Sequence, residues 1–233
     1  MSKLTWDAVG DRRYETGVKN CVLYLQVDGA YPAGVAWNGI TSISEKPSGA
    51  EANPIYADDM KWLNLISVED FAAGIEAYMY PDEFDACLGN ETIVPGVIIG
   101  QQSHQAFGLA YRTAIGNDTE GNKHGYKIHI IYGATAAPSE RQYQSINDSP
   151  EPIALSFELS TVAVPVPGKG ATANITMDST KTDPKVMAAV EAVLFGSDDE
   201  DARLPLPEEL IQIMTTAASA AQPANNEPGA GEQ

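Results

Sequence analysis

Three carboxylates fall within four residues at Asp82, Glu83 and Asp85, dense enough to suggest paired-carboxylate hydrolysis or a Ca²⁺ site. Neither chemistry is completed nearby. No EF-hand glycine or closing glutamate follows, and Asp-Glu-Phe-Asp after Pro81 more economically opens a helical turn over 81–88. His104, His124 and His129 are scattered, and the last two stand five apart around Gly125, which is no helical metal spacing. His129 is read as a surface or groove histidine on a strand beside Lys127. Cys21 and Cys87 are the only thiols, and neither lies near a histidine in a nucleophile pattern. Pro167-Gly168-Lys169-Gly170 is a turn, since neither G-x-G-x-x-G nor a Walker A pattern occurs. The acidic run at 198–201 has no interleaved ligand geometry and is expected to lie solvated between two helices. No catalytic residue, metal ligand or cofactor-binding residue is assigned, and an enzyme is the least favoured function class.

The elements around these residues are mostly strands. Cys21, Leu23, Leu25 and Val27 share one face, opposite Val22, Tyr24 and Gln26. Phe71, Ala73, Ile75, Ala77 and Met79 alternate with Glu76, Tyr78 and Tyr80 on the other side. Segments 127–132, 154–162 and 171–178 follow the same period, which predicts antiparallel β-structure with one wet face per strand. Near the C-terminus Asp183 suits an N-cap and Pro184 the first helical position. Val186, Met187, Val190, Val193 and Leu194 then make one apolar stripe that Gly196 closes. A second helix is expected from Pro207 to about Met214, with Glu208 and Glu209 at the positive end of its dipole. Residues 1–216 read as one domain, and 217–233, without a large apolar side chain, as a disordered tail. Residues 44–59 read as one long loop, and Ile55 and Tyr56 in its middle suggest a partner surface or a fold back onto the domain.

Charge is distributed unevenly. Residues 51–100 carry ten acidic side chains against Lys61 alone, within a chain of net charge −18. Nucleic-acid affinity needs Lys and Arg to neutralise phosphates, so this region is expected to repel DNA; the plainer alternative is an acidic solubility face. No apolar stretch approaches the roughly 20 residues of a bilayer span. The N-terminus lacks an apolar signal core, and two cysteines are too few for a disulfide framework, which together predict a reduced, cytosolic chain.

Six segments carry a resemblance to a known family. They are Trp-Asp-Ala-Val-Gly-Asp-Arg-Arg-Tyr-Glu-Thr-Gly-Val at 6–18, Gly-Ile-Glu-Ala-Tyr-Met-Tyr-Pro-Asp-Glu-Phe at 74–84 and Phe-Gly-Leu-Ala-Tyr-Arg at 107–112. The others are His-Gly-Tyr-Lys-Ile-His at 124–129, Asn-Asp-Ser-Pro-Glu at 147–151 and Ala-Arg-Leu-Pro-Leu-Pro at 202–207. In order and spacing the chain resembles the major tail (tail tube) proteins of long-tailed, non-contractile bacteriophages. The segment before Pro54 and the acidic C-terminal extension depart from that pattern. The resemblance implies a β-sandwich of tail-tube type with a packed helix and a short C-terminal helix. It also implies hexameric rings whose strands join an inner β-barrel, stacked into a tube for genome DNA ejection. Implied partners are further copies of the chain and the tail terminator, tape measure and distal tail proteins. DNA would pass without specific binding, no membrane would be involved, and the protein would be made in the host cytoplasm and reside in the virion tail. Glu76 and Glu158 are the candidate lumen-facing residues, placed opposite the apolar faces of their strands. Pro54, Ile55 and Tyr56 are the candidate inter-ring contacts. The rival reading is a monomeric β-sandwich binding module for carbohydrate or adhesion, in which Trp6, Trp37 and Trp62 would form an aromatic row.

Overall fold

Cys21, Val22, Leu23 and Tyr24 are consecutive in one strand, and all four are buried. Their side chains alternate across the strand, so a packed layer must cover each face. In the computed structural model, which describes residues 4–146, 148 and 151–221, both layers are present. In chain order the strands are β1 (Arg13–Leu25), β2 (Gly34–Trp37), β3 (Ile40–Ser48), β4 (Ala52–Ala57), β5 (Met60–Ile66) and β6 (Asp70–Ala77). A 3₁₀ segment (Asp82–Leu88) then leads to β7 (Glu91–Val94), β8 (Val97–Ile99), β9 (Phe107–Asn117), β10 (Gly121–Ala136), β11 (Leu155–Thr161) and β12 (Asn174–Asp178). Two helices follow, α1 (Pro184–Phe195) and α2 (Pro207–Ala221).

The main sheet is antiparallel, in the order β2-β1-β9-β10-β11-β6-β3, with β12 paired to β10. Its end strand β3 returns to lie against β1, so the sheet curls around an interior. Aromatic rings fill that interior: Trp37 and Phe84 lie 4.5 Å apart between centroids, and Phe84 is 5.3 Å from Phe107 and 5.1 Å from Phe157. The 3₁₀ segment closes it with Phe84 and Cys87. Trp37 satisfies its indole N–H on the Met79 carbonyl at 2.8 Å, as a buried Trp must.

The outer face of β1, β9 and β10 is covered by the helices. Val22, Tyr24, Ala110, Ile128, Ile130 and Tyr132 pack there against Val186, Met187, Val190, Leu194 and Leu210. Two phenols reach across: Tyr24 donates to the Leu194 carbonyl at 2.5 Å and Tyr132 to the Pro205 carbonyl at 2.9 Å. The expectation of one wet face per strand fails for these three strands, because the helices dry the second face. Helix α1 begins and ends as expected. Asp183 accepts the Lys185 backbone N–H at 2.8 Å, the five stripe residues are buried, and Gly196 (φ +80°) ends it. Helix α2 continues past Met214 to Ala221, since alanine favours helix and Ile213, Met214 and Ala217 pack against the core. The expected disordered tail is therefore helical over 217–221, and its remainder lies outside the described residues.

The second correction concerns 44–59. This segment is the end of β3 followed by β4, and it has the backbone of a strand. The β3–β6 ladder runs to the pair Ser48–Asp70 and resumes at Ala52–Ile66, with Pro54 opposite Asn64. The result is a long ribbon whose tip, Asp58-Asp59, has φ of +50° and +57°, the left-handed pair that tight hairpins need. Proline is tolerated because a two-stranded ribbon has a free edge on each strand.

Strand β10 serves both halves of the sheet. Lys127–Ile131 pairs with β12 beneath the helices, and Ala134–Ala136 pairs with β11. Between them Gly133 has φ +58°, and a Cβ there would stand 2.3 Å from the Val162 carbonyl oxygen. Only glycine fits this corner.

Candidate functional site

The residues that could have done chemistry have structural partners. Asp85 accepts hydrogen bonds from Asn90 Nδ2 at 2.7 Å and from the Tyr80 hydroxyl at 3.3 Å. Burial pushes the Cys21 and Cys87 thiols up to about 12, which makes them poor nucleophiles. His104 Nδ1 lies between the Cys87 and Ala136 carbonyls at 3.0 and 3.1 Å, and His124 sits 2.7 Å from Glu120. Among the described residues no three His, Cys, Asp or Glu side chains converge to hold a metal ion, and no helix is long and apolar enough to cross a membrane. The three tryptophans do not form a row: Trp37 is in the core, and Trp6 and Trp62 are exposed.

What the fold presents outward is a pair of apolar ribbons. On β4 and β5 the large side chains Tyr56, Met60, Trp62 and Ile66 are each more than 60% exposed, while Ile55 and Leu65 are partly so. Pro54, Ile55 and Tyr56 are therefore all on β4. The second ribbon, β7 paired with β8 through Pro95-Gly96, exposes Ile93, Val94, Val97 and Ile98. An isolated two-stranded ribbon is marginal in water, and clustered exposed apolar side chains mark interaction surfaces. Nothing among the described residues covers either ribbon.

A third surface is polar. Beyond the core, β3, β6 and β11 turn a row of small residues outward: Ser42 and Ser44, Ala72 and Gly74, Ser156 and Ser160. Glu76 and Glu158 both fall on this face, on neighbouring strands, with Ser156 paired to Glu76 and Glu158 to Gly74. Glu76 accepts from Ser42 Oγ at 3.0 Å. Glu158 accepts from Lys46 Nζ through both oxygens, at 2.7 and 2.6 Å. Lys46 thus cancels half of the formal charge of this glutamate pair, which sequence reading missed. The alternation Ser42, Ser44, Lys46 was its available signal. The pair is exposed, so it contributes little to stability.

A fourth feature is buried. His129 on β10 stacks on Tyr111 of β9 at 4.8 Å between centroids, with planes within 3°. Its Nε2 lies 3.2 Å from Glu15 of β1, and its Nδ1 lies 3.2 Å from Glu45 of β3. Lys127 pairs with Glu15, and the Tyr111 hydroxyl donates to Glu45 at 2.7 Å. The His129 contact holds the Glu45 carboxyl below its usual range. The Glu15 carboxyl is also lowered: desolvation by partial burial pushes it up, but hydrogen bonds from Lys127 and Thr113 outweigh that. Burial, reinforced by Glu45, raises the Tyr111 phenol. The histidine expected on the surface or in a groove is 9% exposed, held between strands that are far apart in sequence.

Against known proteins, no family model matches the sequence, and no curated protein matches it. Among solved structures, the cryo-EM structure of the anti-feeding prophage (AFP) baseplate, 6-fold symmetrised, contains a chain of similar shape. The TM-score is 0.37 at 12% identity, over 75% of this chain and 97% of that one. A likeness at that level carries no functional argument.

Proposed function

We propose that this protein is a self-assembling structural component of a phage tail, its copies closing into hexameric rings that stack as a tail tube. The observation that carries this reading is the ribbon β4–β5. It exposes large apolar side chains that its own chain leaves uncovered, which is costly unless a second copy buries them. Open sheet ends at β2 and β3 fit the same reading, because ring closure is one way to satisfy strand edges. In such a ring the β3–β6–β11 face, small and hydroxyl-rich with Glu76 and Glu158 upon it, is the candidate lumen wall. A polyanion slides past a surface that offers it few cations. Lys46, already held by Glu158, is not free to hold phosphate. Pro54, Ile55 and Tyr56 become inter-ring contacts, and the terminator, tape measure and distal tail proteins become partners at the ends.

Negative-stain microscopy of the purified protein tests this. Hollow, regularly banded tubes are expected from the intact chain. Replacing residues 49–69 by an Asn-Gly turn, so that Ser48 and Asp70 remain paired, is expected to leave a folded protein that forms no long tubes. A persistent monomer at high concentration and moderate salt, or unchanged tubes from the shortened variant, would overturn the proposal. The binding-module alternative gains nothing from the buried Trp37.

A further inference from the structure

Strand β3 is the last in the sheet order, and the seam between it and β1 is outside the hydrogen-bonded path. Side chains span that seam at the foot of the long ribbon. His129 has one ring nitrogen 3.2 Å from Glu15 of β1 and the other 3.2 Å from Glu45 of β3. A carboxylate can only accept, so holding both at once requires both ring nitrogens to donate. The Thr113 hydroxyl donates to Glu15 at 2.5 Å and lies 3.0 Å from Nε2, where its oxygen accepts. The titratable groups around the ring come from four strands: Glu15 from β1, Glu45 from β3, Tyr111 from β9 and Lys127 from β10 itself, and the buried Cys21 of β1 lies near Tyr111. Strand β12 adds the hydroxyl of Thr176, 3.5 Å from Nδ1.

We propose that His129 is an acid-released pin that ties the base of the ribbon to the helix-covered half of the sheet, engaged only while Glu15 and Glu45 are ionised. Acid releases it by neutralising the acceptors. Lys127 keeps Glu15 ionised and the Tyr111 phenol keeps Glu45 oriented, so each acceptor has its own second partner. The two cannot converge on one metal ion, because they meet opposite edges of the ring. The pin acts within one chain and stands whether or not the ribbon docks on another copy.

Hydrogen–deuterium exchange on the full-length, unassembled chain tests it, with rates normalised for intrinsic pH dependence. At pH 7, amides of β3 and β6 are expected to exchange about tenfold faster in His129→Gln than in wild type, since glutamine can serve only one carboxylate. Amides of α1 are expected to stay unchanged. Wild type is expected to reach the same fast exchange as the pH falls below the carboxylate range. Glu45→Gln, conservative in size and on a partly exposed side chain, is expected to exchange fast at pH 7 with no further acid step. Equal protection of β3 in wild type and His129→Gln at pH 7 would overturn the proposal, as would loss of protection spread evenly into α1. Tube formation is read separately by microscopy, so failure of the assembly reading leaves this result untouched.

Discussion

The sheet has two halves built on opposite terms. Under α1 and α2, the covered stretches of β1, β9 and β10 are dry on both faces, and consecutive residues such as Leu109, Ala110 and Tyr111 are all buried. Across the curled sheet, β3, β6 and β11 are dry inside and wet outside, and beyond them β4 and β5 have no dry face of their own. The first half has finished its folding within one chain. The second stops short: it leaves a polar wall and an apolar ribbon uncovered by the described residues. On the proposed reading, the difference puts stability in one region and interaction in the other.

The sharpest way to break this contrast is to truncate one apolar residue in the interior that both halves enclose and one on the ribbon. Phe84→Ala, inside the aromatic interior, is expected to cost about 3–5 kcal/mol in denaturant unfolding. Ile66→Ala on the ribbon is expected to stay within about 0.5 kcal/mol while impairing assembly. Equal costs would mean the ribbon is already packed within the monomer. Next in size is Tyr24→Phe, which leaves the buried Leu194 carbonyl without its partner and is expected to cost about 1–3 kcal/mol. The helix-covered half would be looser than described if chemical denaturation showed no change.

A smaller effect separates the seam from the core. The Glu15 and Glu45 carboxyls sit below their ordinary value of 4.5 in the folded chain. Their contribution is therefore fully present above about pH 4.5 and is lost as the pH falls through the lower folded values. Melting temperature followed from pH 7 downward should begin to drop only there, and Glu45→Gln should flatten the drop. The smallest change belongs to the open face. Lys46→Met should move stability by no more than about 1 kcal/mol, because its ion pair with Glu158 is solvent-screened. Thermal denaturation checks this, and a larger loss would show that the open face also holds the fold together.

Legibility from sequence followed the same division. Where one element faces one core, local pattern was enough: Asp183, Pro184, the α1 stripe and Gly196 were all readable, as were the alternations in β6 and β11. Strand β9 was not read as a strand, because Phe107, Leu109, Ala110 and Tyr111 are buried on both sides and no alternation survives. Residues 44–59 read as a loop because Pro47, Gly49 and Pro54 are loop residues elsewhere, and only strands with a free edge tolerate the two prolines. The surroundings of His129 were out of reach for a different reason. Glu15 and Glu45 approach it through the curl of the sheet, which leaves no trace in residue spacing. Glu76 and Glu158 were correctly placed away from the apolar side, but Lys46 arrives from a strand that was not recognised.

The corner at Gly133 has a mechanical consequence. Strand β10 passes without interruption from beneath the helices to the polar wall, and its bend is set by backbone atoms pressed against the Val162 carbonyl. A Cβ at residue 133 would push β10 and the chain at Val162 apart, so the passage of one strand between the two halves of the sheet depends on a side chain that is missing.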